Sequence, residues 1–253
     1  MHPMEEQFGR LTKKQRKELR KQEKLEMRAE AVRSQRLTRI FWWGLGIATV
    51  LVFVFLFVKA ASTPSTSQTP PPEVNQQDWT KGAAEGSASA TLIEYSDFQC
   101  PACKVYQPLL GQVLSAFPES LRFVYRHFPL RNTHKNAQLA AQASEAAGKQ
   151  GKFWQMHDML FDKQDSWSKL PTAKDVFIEY AGVLKLDIDK YKSDLDNSDV
   201  VQKIDADLAG GEAVGVDSTP TFYLNGKKVE NIKGLEDFKK RVEEAIKQPI
   251  VTP

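Results

Sequence analysis

Cys100 and Cys103 are the two cysteines of a 253-residue chain, and they stand as Cys100-Pro101-Ala102-Cys103. Thiols at i and i+3 can close a disulfide across one helical turn and open it again. The tetrapeptide follows Thr91-Leu92-Ile93-Glu94-Tyr95-Ser96, a strand-like run. It precedes Lys104-Val105-Tyr106-Gln107-Pro108-Leu109-Leu110, which suits a helix. A C-x-x-C at a strand-to-helix turn reads as a redox motif. The free N–H groups and partial positive charge of a helix start favour a thiolate on the first cysteine. Two other readings stay open: half of a zinc site, or an inert bridge. A zinc site would need histidine or carboxylate ligands, and His127, His134 and His157 form no H-x(3–5)-H pair. A bridge closing so short a loop removes little unfolded-state entropy. Thiol–disulfide exchange is the leading reading.

Composition divides the chain. The arm 1–39 takes twelve of the 35 basic side chains and six of the 32 acidic ones, leaving it at +6 and the remainder at −3. After it comes the uncharged run 40–58, bracketed by Arg39 and Lys59 and carrying Trp42 and Trp43 at one end. At ~1.5 Å per residue a helix of this run reaches roughly across a bilayer's hydrocarbon core. Indoles favour the interface, and the basic excess before the run predicts a cytoplasmic N-terminus. A cleaved signal peptide is the alternative, with Val58-Lys59-Ala60 as its cleavage site. The long basic region and long apolar run favour a retained single-pass anchor in the cell membrane. Either way the cysteines lie outside the cytoplasm, where disulfides persist. The arm has the charge to meet anionic lipid. No nucleic-acid module accompanies it, so nucleic acid is not an expected partner.

Residues 59–78 are rich in Ser, Thr and Pro, the composition of an extended linker. The body, 79–250, is long enough for one domain with its own core. Leu121 to Phe128 alternates as a second strand, so strand, helix and strand make a parallel βαβ unit. A helical region follows, with helices expected at Asn136–Ala147, Phe153–Phe161, Pro171–Gly182, Asp187–Leu195 and Asp199–Val214. Asn225-Gly226 then joins Thr221–Leu224 to Lys228–Ile232 as a hairpin. Leu235–Lys247 closes as an amphipathic helix. The order β-α-β, helices, β-β-α is an α/β fold: a thioredoxin-type core with a helical insertion, preceded by one transmembrane helix.

Four stretches together carry a resemblance. They are Phe98 to Cys103, Tyr125-Arg126-His127-Phe128-Pro129-Leu130, Gly151 to Asp158, and Ser218-Thr219-Pro220-Thr221-Phe222 with Asn225-Gly226. In this order they resemble the DsbA-like thiol–disulfide oxidoreductases of the thioredoxin superfamily, in particular the membrane-anchored BdbD-type branch. The resemblance implies that Cys100 is the nucleophile and Cys103 its buried partner. Thr219 and cis-Pro220 would face the disulfide and pair with an extended substrate segment. Glu94, six residues before Cys100, would lie beneath the disulfide and relay protons, its carboxyl raised by burial. Asp97 is expected in a turn or on an exposed rim. His127 and His134 are expected to be structural, and Phe153 and Trp154 to be core.

The implied activity is disulfide formation in secreted or envelope proteins, without metal or organic cofactor. The implied partners are reduced substrate proteins and a quinone-linked re-oxidant of DsbB or VKOR type. A reductase or isomerase on the same fold, or a redox-inert binding module, are the alternatives. One departure bears on direction: Pro-Ala stands between the cysteines where strongly oxidising relatives often carry Pro-His.

Overall fold

A computed structural model describes residues 70–248, together with Lys24, Met27, 42–47, 49, 50, 52 and 53. The expected arm and most of the expected anchor and linker lie outside the described residues. The described members of the apolar run are helical, and Trp42, Trp43, Val50 and Phe53 are exposed. Among the described residues no helix is long and apolar enough to cross a membrane. The chain divides into two units, Met1–Thr66 and Ser67–Pro253.

In the second unit the strands are β1 (Trp79–Gly82), β2 (Ala90–Ser96), β3 (Leu121–His127), β4 (Thr221–Leu224) and β5 (Lys227–Val229). They form one sheet in the order β1-β3-β2-β4-β5. Only the central pair, β2 and β3, is parallel, and it is joined by helix α1 (Pro101–Ala116). That is the βαβ unit expected from the alternation of apolar side chains. Between β3 and β4 lie α2 (Ala137–Gly148), α3 (Phe153–Asp162), α4 (Gln164–Trp167), α5 (Lys174–Val183), α6 (Ile188–Leu195) and α7 (Ser198–Ala213); α8 (Leu235–Lys247) closes the domain.

Strand periodicity sorts the core into two layers. Leu92 of β2, Phe123 and Tyr125 of β3, and Phe222 of β4 face a large cluster that also holds both cysteines, Leu110 and Val113 of α1, and Phe153, Met156 and Phe238. Ile93, Tyr95, Val124 and Tyr223 face the other way, against Phe128 and Val216. Helix α7 reaches this back face through Gly211. A Cβ there would stand 2.8 Å from the Phe128 ring, so glycine permits the close approach.

Several boundaries differ from the sequence reading. The expected linker extends to 78, yet residues 70–78 pack on the domain, and the cause is Arg126. Its guanidinium is buried on the back face and donates five hydrogen bonds. Two go to Asp78 at 2.8 and 2.9 Å, and the others reach the Pro72 carbonyl at 2.9 Å, the Glu73 carbonyl at 3.0 Å and Tyr95 Oη at 3.1 Å. A buried cation needs those acceptors, and residues 72–78 supply four of the five. Strand β1 follows directly, antiparallel to β3, and was not expected. The second hairpin strand ends at Val229 rather than Ile232, and the helix expected from Pro171 begins at Lys174.

Candidate active site

The site grows from the end of β2. Phe98, Gln99 and Cys100 make the turn, Cys100 occupies the N-cap of α1 with φ −70° and ψ 122°, and Pro101 takes the first helical turn. That position suits proline, whose missing N–H would have no helical partner. Asp97 holds the turn shut. Its Oδ1 accepts the Gln99 N–H at 2.7 Å, while Oδ2 accepts the Leu130 N–H at 2.9 Å and meets His134 Nδ1 at 2.7 Å. The expectation of an exposed Asp97 is therefore corrected: it is a turn residue, but it is buried. The loop after β3 folds over it and brings two donors from more than thirty residues away.

The helical insertion grips the same turn. Gln164 Nε2 donates to the carbonyls of Phe98 and Cys100 at 2.8 and 2.9 Å. Gln99 Nε2 donates to the Ser168 carbonyl at 2.6 Å, and its Oε1 accepts the Asn136 N–H at 2.7 Å. None of these clamps was anticipated. Their signal in the sequence is only a glutamine beside a cysteine and another in a short helix.

The structure brings together all five residues singled out beforehand. Cys100 and Cys103 are free thiols. Cys103 is fully buried and Cys100 nearly so. The Cys100 thiol donates to the Thr219 carbonyl at 3.3 Å, and the Thr219–Pro220 peptide is cis. Beside Pro220 a groove of about 410 Å³ opens between Tyr106, Ser218 and the stretch from Lys228 to Ile232. Glu94 lies on the front face of β2 with no exposure.

Electrostatics separates the two thiols. Cys100 is lowered from 9.0 to about 5, chiefly by the hydrogen bond from the Cys103 thiol; burial opposes this, and Thr219 and the backbone N–H groups of Cys103 and Ala102 assist. Cys103 is pushed well above its ordinary value by burial first, then by Cys100 and the charge of Glu94. Burial raises Glu94 to about 8 against the pull of Ser96 and Gln107, and the negative charge of Cys100 adds to the rise. One sulfur is thus ready to be a thiolate at neutral pH, the other holds its proton, and a protonated acid sits near both. Asp97 raises His134 by its hydrogen bond, and Cys100 adds to the rise.

Phe153 lies in the core and Trp154 packs against it. His127 and His157 are buried among aromatic rings. Among the described residues, no group of three or more His, Cys, Asp or Glu side chains is arranged to hold a metal ion.

The family profile described as thioredoxin matches residues 76–244. Oxidised BdbD from Bacillus subtilis superposes with a TM-score of 0.63 at 23% identity, covering 71% of this chain and 98% of that one. Alpha-DsbA1 from Wolbachia pipientis gives 0.61 at 19% identity, covering 69% and 94%. At these identities the likeness is one of fold. The sequence relatives carry a different name. The Na(+)/H(+) antiporter NhaA 1 of Salinispora arenicola is 38% identical over 160 residues, which are 63% of this chain and 23% of that protein. Its namesake in Mycolicibacterium vanbaalenii is 35% identical over 194 residues, 72% of this chain and 30% of that protein. The chain therefore spans less than a third of these relatives' length.

Proposed function

The chain belongs to the thioredoxin family, and from that premise we propose that it is a DsbA-like thiol–disulfide oxidoreductase that forms disulfides in other proteins. The observation that carries this is the split between Cys100, lowered to about 5, and buried Cys103, raised by the same surroundings. In the oxidised protein a substrate thiolate attacks Cys100 Sγ, the Cys100–Cys103 bond breaks, and Cys103 leaves with the electron pair and takes a proton. A second substrate thiolate then attacks the substrate sulfur of the mixed disulfide and expels Cys100 as a thiolate. The substrate loses two electrons and the protein gains them. A leaving thiolate this stable favours oxidation of the substrate over its reduction. The carbonyl of Thr219 and the groove beside Pro220 are the surfaces on which an extended substrate segment would lie.

The setting belongs to the same proposal. Residues 1–39 form a cytoplasmic arm, 40–58 a membrane anchor in contact with lipid, and the catalytic domain works outside the cytoplasm on secreted or envelope proteins. Re-oxidation falls to a quinone-linked membrane protein of DsbB or VKOR type. Support comes from the uncharged run and its basic flank, and from helical, exposed Trp42, Trp43, Val50 and Phe53. The antiporter relatives contribute no activity to this reading, because the shared stretch is a minor part of their length.

The test is direct. Oxidised protein mixed with a reduced, unfolded two-cysteine substrate should convert it stoichiometrically to the disulfide. C100S should abolish the conversion. Equilibration with glutathione should give a potential well above the −270 mV or so of thioredoxin. An oxidised protein that leaves the substrate reduced would end the proposal; a thioredoxin-like potential would reverse its direction.

A further inference from the structure

The thiol–disulfide reading leaves one step without a route. When Cys103 leaves as a thiolate it takes a proton in a buried place, and the nearby acid is Glu94. Having given up its proton, Glu94 must regain one from water, yet neither it nor Cys103 has any exposure.

The front face of the sheet holds a row of polar groups that the fold leaves unpaired. Both Glu94 carboxyl oxygens, Ser96 Oγ, Gln107 Nε2, Tyr125 Oη and His127 Nδ1 are buried without a well-formed hydrogen bond in the protein, although Ser96 and Gln107 lie close enough to pull on Glu94, and Ser96 on Tyr125. Strand register places the four strand residues side by side, and Gln107 comes from α1. Glu94 of β2 lies opposite Tyr125 of β3, and Ser96 lies opposite His127. The Tyr125 and His127 rings meet edge to face with centroids 5.2 Å apart. An unpaired buried polar atom costs about 1–3 kcal/mol, so a contiguous row of them calls for a reason.

At one end the row is paired with a side chain that keeps some solvent exposure. His127 Nε2 lies 2.8 Å from Glu145 Oε1, which also accepts the Trp79 indole N–H at 2.7 Å. When the imidazole donates from Nε2 to Glu145, Nδ1 is left as a bare acceptor without a partner. Glu145 keeps 7% of its surface, whereas His127 keeps 1% and Tyr125 none.

We infer that Tyr125, His127 and Glu145 form the proton path through which Glu94 exchanges with solvent, separate from the mouth of the site at Cys100. In the loaded state Glu145 is protonated and His127 carries its proton on Nδ1. Glu145 hands its proton to Nε2 as Nδ1 passes one to Tyr125 Oη. The tyrosine proton moves by Ser96 Oγ to Glu94, with water bridging any gap longer than a hydrogen bond. The charged and titratable groups around the row are Cys100, Cys103 and Asp97 at the cysteine end, the His157–Asp158 pair packed on the Tyr125 ring, and Asp207 with Lys203 behind the His127 N–H. Within the row, His127 is the member hydrogen-bonded to Glu145. The three residues carry protons to the acid and do not touch the reacting sulfurs.

The path rests on the thiol–disulfide reading, and the experiment separates the two. Oxidised full chain is mixed at pH 7 with dithiothreitol in weak buffer. Disulfide cleavage is followed by rapid quench and alkylation, and protons by an indicator dye. The dithiol sheds two protons, and one returns to Cys103 through Glu94. In the wild-type chain net acid release should keep pace with cleavage. In H127Q and Y125F the returning proton should lag cleavage by about tenfold or more, seen as a transient excess of acid. Imidazole in solution should shorten the lag in H127A. Y125F removes only a hydroxyl and keeps the ring packing, so it answers even where a His127 variant folds poorly. Proton return in step with cleavage in both Y125F and H127Q would overturn the path and leave the exchange reading standing. A wild-type chain whose cysteines do not exchange with the dithiol would overturn both.

Discussion

Glu94 and Arg126 are ionisable side chains buried on adjacent strands of one sheet, and they are treated in opposite ways. Arg126 points to the back face, where every guanidinium N–H is matched at 2.8 to 3.1 Å. Glu94 points to the front face, where neither oxygen makes a well-formed hydrogen bond and the pull of Ser96 and Gln107 does not offset burial. Burial alone would raise Asp78, but Arg126 and the Asn75 N–H hold its carboxyl below the ordinary range. Burial raises Glu94 to about 8, with nothing strong enough to reverse it. A satisfied buried charge fastens structure, here residues 70–78 onto the sheet. An unsatisfied one is costly to keep and is ready to exchange a proton near neutral pH.

The comparison is broken most readily from the back. R126M leaves the Asp78 carboxylate buried without its cation, and should cost about 3–5 kcal/mol of unfolding free energy in a denaturant titration. Asp78 carries a depressed value, so its contribution is present above the ordinary carboxylate range and is lost as pH falls through the folded value. The wild-type chain should lose that increment in acid, and R126M should not. An R126M chain as stable as wild type would mean that the five hydrogen bonds fasten nothing.

Glu94 should respond with the opposite sign. Its raised value means that the folded protein holds a proton the unfolded chain releases between pH 4.5 and about 8. Its contribution is full below 4.5, falls across that interval and is gone above it. E94Q removes the penalty and should stabilise the domain at pH 8 by on the order of 2–4 kcal/mol. It should also flatten the decline between those limits. A pH profile unchanged by E94Q would mean that Glu94 is not held protonated.

Legibility in the sequence followed the range of the interactions. The cysteine pair, the βαβ unit and the terminal hairpin with α8 rest on local spacing, and they stand close to where the residues put them. Glu94 was reached through a family offset, since a lone glutamate in an apolar strand does not say which face it takes. Strand β1 is four residues without alternation behind a proline-rich stretch, and only its pairing with β3 makes it a strand. Asp97 is buried by a loop more than thirty residues on, and Gln164 meets the cysteine turn from a four-residue helix. His127 of β3 and Glu145 of α2 are eighteen residues apart and meet only through the fold. No periodicity encodes those contacts. The proline-alanine pair bears on the direction of exchange, and with no histidine there the Cys103 thiol and the helix-start N–H groups lower Cys100.

That last point yields a smaller and sharper prediction. Because the Cys103 thiol is the largest cause of the low value, C103A should move the pH midpoint of Cys100 alkylation up from about 5 by about one pH unit or more. An unmoved midpoint would assign the effect to the helix start instead.

Gln164 tests the comparison within the front face itself. It is buried there like Glu94, but it is paired like Arg126, with both hydrogen bonds spent on the cysteine turn. If pairing rather than position decides what a buried polar group does, Q164L should behave as a structural lesion. It should lower stability by about 1–3 kcal/mol, since the Phe98 carbonyl loses its donor and the Cys100 carbonyl keeps only the Lys104 N–H, while the alkylation midpoint of Cys100 stays where it was. The causes that lower Cys100 are the Cys103 thiol, Thr219 and two backbone N–H groups, and none of them runs through Gln164. A midpoint that moves while stability holds would mean that the clamp from the helical insertion sets the acidity of the thiol, and that paired and unpaired groups on this face share one task.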